Sequence, residues 1–176
     1  MAIDDSGEWW TGSEASDIGP YLAEYTLCGD GYPATAYWPV VCTCGSAQFR
    51  LLRARSITQR TCAGCGQVRY ISRSGDGVGW EEATWEEKPE PYTCVGCGGD
   101  TVNVCLGLAD YACHPGCANR PGSPLPDAVL WFYVGYRCVK CGILGCFNDG
   151  KVGRGPMAES TFREIAGELP HKSGQA

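Results

Sequence analysis

Apolar and polar positions alternate with a period of two in "AQFRLLR" (residues 47–53), and "QVRYIS" (residues 67–72) is rich in β-formers, so both read as strands. "TVNVCLGL" (residues 101–108) and "AVLWFYVGY" (residues 128–136) predict two longer strands. The second of these is apolar on both faces and is expected to be central. Between them lies "ADYACHPGCANRPGSPLPD", whose prolines and glycines predict a loop. Near the end, Thr161 and Glu164 stand at capping-box spacing, while Phe162, Ile165, Ala166 and Leu169 follow the helical period until Pro170 stops it. "HKSGQA" reads as a frayed tail. The pattern predicts a mainly β chain with one short C-terminal helix.

Composition agrees with a folded, turn-rich chain. Of 176 residues, 44% are hydrophobic, enough to bury a core, and 25 glycines and 11 prolines fall short of a disordered composition. "MAIDDSGEWW" has neither the basic nor the apolar region of a signal peptide, and no apolar run approaches the length of a membrane span. A cytoplasmic protein without a membrane contact is the expectation.

That expectation bears on the 13 cysteines, because disulfides are rare in a reducing compartment and an odd count leaves one thiol over. Eight form close pairs: Cys42 with Cys44, Cys62 with Cys65, Cys94 with Cys97, and Cys138 with Cys141. Each pair is followed by a glycine, at Gly45, Gly66, Gly98 and Gly142. A metal knuckle must turn sharply after its second thiolate, and glycine enters the positive-φ region at little cost. Two such knuckles supply the four-thiolate shell that Zn²⁺ accepts. Two zinc ions are therefore expected, with an iron-sulfur cluster or disulfides as the weaker alternatives. Sequential pairing of the knuckles is the simplest arrangement, and the spacing also allows a crossed one.

In these motifs the chain resembles the zinc-ribbon family, in which a knuckle at each end of a β-hairpin shares one zinc. The separation of Cys44 from Cys62 suits such a site, although C-x-C stands where C-x2-C is usual. The wider gap from Cys97 to Cys138 requires an insertion. The resemblance implies two zinc-ribbon units of antiparallel hairpins, with an insertion in the second and the short C-terminal helix. The expected organisation is an acidic segment packed on the ribbons (residues 1–39), a first ribbon (40–75), an acidic tryptophan-containing linker (76–91), a second ribbon (92–150) with an inserted loop at 108–127, and a helix and tail (151–176). "VLWFYVGYRCVKCGILGC" is also loosely similar to zinc-ribbon proteins encoded beside bacterial toxins.

Five cysteines remain. Cys105, Cys113 and Cys117, with His114, are candidates for a third metal site; the alternative is a small apolar residue in a strand and incidental loop thiols. Cys28 and Cys146 read as buried packing residues. Catalysis is not expected: the chain has two histidines, His114 and His171, and lacks an H-x-E, a P-loop and a G-x-S-x-G.

Charge is segregated. Residues 1–49 hold seven acids and no base, residues 50–73 hold six arginines and no acid, and the net charge is -6. Arg50, Arg53 and Arg55 on the first hairpin are candidate nucleic-acid contacts, opposed by the acidic stretches on both sides. In "GWEEATWEEKPE", Trp80 and Trp85 stand among Glu81, Glu82, Glu86 and Glu87, a combination that suits a basic protein partner, and Glu8, Trp9 and Trp10 repeat it. The other reading of these tryptophans is that they cover the small ribbon cores. A non-enzymatic zinc protein that binds a basic partner is the leading expectation, an immunity or antitoxin-like neutraliser of a toxin being its specific form. A nucleic-acid-binding regulatory ribbon is the competing one.

Overall fold

The alternating segments become strands of one antiparallel sheet in the computed structural model, which describes residues 3–28, 33–54, 57–72, 88–110, 129–154 and 166. Among these residues the chain runs through a helical turn (Ala15–Asp17), helix α1 (Ile18–Cys28) and strands β1 (Ala36–Pro39), β2 (Phe49–Ala54), β3 (Ile57–Cys62) and β4 (Val68–Ser72). Then follow β5 (Glu90–Pro91), β6 (Val102–Asp110), β7 (Val129–Cys138) and β8 (Leu144–Arg154). The fold is mainly β, as the sequence pattern predicts. β6 runs two residues past the predicted end of its strand, and β7 is paired on both sides, by β6 and β8.

The sheet order β4-β3-β2-β6-β7-β8 reads the same from either end once the two halves are matched. The match is residue by residue. Phe49 and Val102, each five residues past the second cysteine of its knuckle, are direct partners where β2 meets β6. The Val40 N–H donates to the Val104 carbonyl at 2.9 Å, and at the corresponding positions Tyr92 donates to the Leu51 carbonyl at 2.9 Å. Pro39 opposes Cys105 as Pro91 opposes Leu52. Even the irregularities agree: the register slips between Thr58 and Gln59 in one half and between Val134 and Gly135 in the other. Two copies of one unit are thus related by a pseudo-twofold axis between Phe49 and Val102. Each unit lends its leading strand to the other, β1 joining β6 and β5 joining β2.

Alternation decides what lies on either side. Val102, Val104, Leu106 and Leu108 of β6 face one core together with Phe49, Leu51, Ile71, Phe132 and Val134. The sheet curls around this core: Asn148 Nδ2 donates to Thr58 Oγ1 at 2.7 Å, and the Arg53 guanidinium lies 5.7 Å over the Phe147 ring. On the opposite face, Ile18, Tyr21 and Leu22 of α1 pack on Cys105, Ala109, Tyr133 and Leu144. Leu22 can come this close because Gly107 and Gly135 lack side chains; a Cβ on Gly135 would stand 2.6 Å from Ile18 Cγ2.

Helix α1 was not among the elements predicted from sequence. The predicted C-terminal helix lies outside the described residues apart from Ala166, which is helical, buried and accepts the Val41 N–H at 3.0 Å.

Candidate metal centres

Each knuckle is a tight turn closed by its own backbone. The first cysteine of the pair accepts a bond from the following glycine, Gly45 to Cys42, Gly66 to Cys62, Gly98 to Cys94 and Gly142 to Cys138, at 2.8–3.0 Å. All four glycines have φ between 67 and 86°, the left-handed region. The N–H of that first cysteine then bonds forward, to Gln67 from Cys62, to Gly99 from Cys94 and to Ile143 from Cys138. From Cys42 it reaches only Ser46, one residue sooner. This shortened loop is how C-x-C is accommodated: the turn loses a residue and keeps its glycine.

The hairpins bring the knuckles together in sequential pairs. Cys42, Cys44, Cys62 and Cys65 form one group, and Cys94, Cys97, Cys138 and Cys141 the other, with all ligand atoms of a group within 4.8 Å of one another. Sγ–Sγ separations are 3.6 Å for Cys42 to Cys65 and for Cys44 to Cys62, 3.4 Å for Cys94 to Cys141, and 3.6 Å for Cys97 to Cys138. A disulfide needs about 2.05 Å. A tetrahedral shell with Zn–S of about 2.3 Å places its sulfurs about 3.8 Å apart. Both groups fit Zn²⁺, and the protein carries two four-cysteine sites for it. In each hairpin the first cysteine of a knuckle is buried and the second turns outward, so that the metal would sit at the rim of the core.

The backbone prepares these thiols for a cation. The N–H of Cys65, followed by that of Gly64, holds the Cys62 thiol down to about 6. Burial opposes the charge on Cys94, yet the N–H groups of Gly96 and Cys97 also bring it to about 6. Cys65 goes the other way: its bond from Gln67 favours the anion, but the adjacent Cys44 and Cys42 thiols push it up to about 12. Four thiols crowded together retain protons that a divalent ion displaces, so loading releases protons. Beside the first group, Arg60 is 7% exposed and lies 4.9 Å over the Phe49 ring.

The remaining candidates fall in different places. Cys105 is buried under α1, where burial pushes its thiol up to about 12 and leaves it an apolar packing residue. Its expected co-ligands Cys113, His114 and Cys117 lie outside the described residues. Cys146 packs beneath the same helix, and burial pushes it up to about 12 as well. Arg50 is paired with Asp100 at 3.1 Å on the surface, and Arg53 donates to the Phe147 carbonyl at 3.3 Å. Arg55 is outside the described residues, as are Trp80, Glu81, Glu82, Trp85, Glu86 and Glu87. Trp9 is 45% exposed, whereas Trp10 is half-buried and meets Tyr21 edge-on at 5.5 Å.

Among the described residues no helix is long and apolar enough to cross a membrane. Compared with known protein families, with characterised proteins and with solved structures, the chain matches none of them.

Proposed function

We propose that this is a non-enzymatic zinc protein that binds a basic protein partner. Ligand saturation carries the reading: each site offers four cysteine sulfurs, and a Zn²⁺ held by four thiolates has no position open for water or substrate. Such ions hold a fold together, contributing on the order of 10 kcal/mol each. The work is then left to surfaces. The net charge of -6, the acids in residues 1–49 that no base in that stretch matches, and the four glutamates Glu81, Glu82, Glu86 and Glu87 around Trp80 and Trp85 favour a cationic partner. Exposed Trp9 and Tyr25 lie on that same stretch, and aromatic side chains framed by acids suit a protein surface. In its most specific form the partner is a toxin whose basic active site this protein covers, an immunity-type role.

The test is purification of the tagged protein from its own host, followed by native mass spectrometry. The expected spectrum contains the chain, two zincs and a basic protein. Replacing Glu81, Glu82, Glu86 and Glu87 with glutamine should release that protein and keep both zincs. Recovery with nucleic acid instead would overturn the reading and favour binding through Arg50 and Arg53, two exposed side chains in a stretch without acids.

A further inference from the structure

The internal symmetry lets each edge of the sheet be compared with its counterpart. In the second unit the outer edge of β8 is filled at its start. Leu144 donates its N–H to the Trp10 carbonyl at 2.8 Å, and Gly12 donates to the Gly142 carbonyl at 2.9 Å. Thr11 lies opposite Ile143, so residues 10–12 form a short antiparallel strand there. Beneath it, Leu144 is 4% exposed.

In the first unit the matching positions are Gly66, Gln67 and Val68. Val68 opposes Thr61 as Leu144 opposes Arg137, which turns the Val68 N–H and the Gly66 carbonyl outward from the edge of the sheet. Among the described residues no segment bonds to either group, and Val68 is 49% exposed. Among the described residues one edge is therefore satisfied and its twin is open, with the apolar Val68 side chain half-exposed beside it. Strand addition uses such an edge, backbone bonds supplying affinity and alternate side chains specificity.

Charge selects the occupant. β4 carries Arg69 next to Val68, in a stretch that contains no acid. The strand that fills the twin edge comes from an acidic, aromatic segment that includes Asp4, Asp5, Glu8, Trp9 and Trp10. The geometry points to the β4 edge, at Gly66 and Val68, as a docking site for an extended acidic segment of a partner protein, held as residues 10–12 are held on the second unit. This site is separate from the acidic surface invoked for a basic partner, and either can fail without the other.

The experiment titrates ¹⁵N-labelled, zinc-loaded full-length protein with a synthetic peptide of residues 4–13. Saturable amide shifts at Gly66, Val68 and Arg69 are expected. Val68→Pro removes the outward N–H at an edge where proline is tolerated; it should weaken binding at least tenfold and retain both zincs by native mass spectrometry. Val68→Asp, which introduces a like charge on an exposed side chain, should weaken binding comparably. A peptide with lysine at each acidic position should bind at least tenfold less tightly. The proposal is overturned by shifts confined to residues 142–144, by no shift at all, by a Val68→Pro variant that binds like the native protein, or by a lysine peptide that binds as well.

Discussion

Gly45, Gly66 and Gly98 have open space where a Cβ would stand, so glycine is required there only by its positive φ. Gly142 faces a second demand, since a Cβ would meet the Gly12 carbonyl oxygen at 2.6 Å. Gly66→Ala should therefore cost about 1–2 kcal/mol, the penalty for a left-handed alanine. Gly142→Ala should cost more and detach residues 10–12. Urea unfolding of the zinc-loaded variants reads the difference, and equal costs would mean that the contact with Gly12 is of no consequence. At this scale the sequence was informative: eight ligands and four turn glycines stood in plain spacing, because metal geometry tolerates few alternatives. Cys105 was less legible. A lone cysteine in an apolar strand carries no mark of whether it points at a metal or, as here, under a helix.

Helix α1 rests on two devices, a carboxylate at its start and glycines beneath it. Asp17 is buried and accepts the backbone N–H groups of Ser13 at 2.8 Å and Glu14 at 3.0 Å. Burial works against its charge, but those bonds outweigh it and hold the carboxyl below the ordinary value. A carboxyl lowered in the folded state contributes stability that is present above its unfolded pKa and lost as pH falls through the folded one. Asp17→Asn should cost about 1 kcal/mol near neutral pH and flatten the acid side of the stability profile, as measured by thermal melts between neutral and acidic pH. Gly135→Val should push Ile18 and Leu22 off the sheet at a cost of about 1–3 kcal/mol, with zinc content unchanged in native mass spectra. The helix itself was written in the sequence. Ile18, Tyr21, Leu22 and Tyr25 stand at i, i+3, i+4 and i+7, but Gly19 and Pro20 disguise the signal. Pro20 is tolerated because it stands in the first turn of α1, where its fixed φ suits a helix start. β5 offered no comparable clue: two residues, Glu90 and Pro91, carry no periodicity and become a strand only because β2 is there to pair with them.

Because both units share one sheet, the two metals should not act independently. Chelation of zinc from the whole protein should abolish cooperative unfolding and the near-ultraviolet circular dichroism signal, since on the order of 10 kcal/mol per ion, about 20 kcal/mol for the two, exceeds the usual margin of a domain this size. Cys62→Ser should reduce the count to one zinc and also raise exchange of the Tyr92 amide, which donates to the Leu51 carbonyl of the first unit across the axis; exchange confined to β2, β3 and β4 would mean that the halves are uncoupled. The reciprocal loan of β1 and β5 could not be read from the sequence, because it depends on pairing between residues far apart in the chain. It also sets how such a chain can arise. A single unit leaves its own leading strand without a neighbour and its first hairpin strand without a flank, so it can satisfy those bonds only against a second copy of itself. The present protein thus holds within one polypeptide the reciprocal exchange of strands that a symmetric dimer of such units would make.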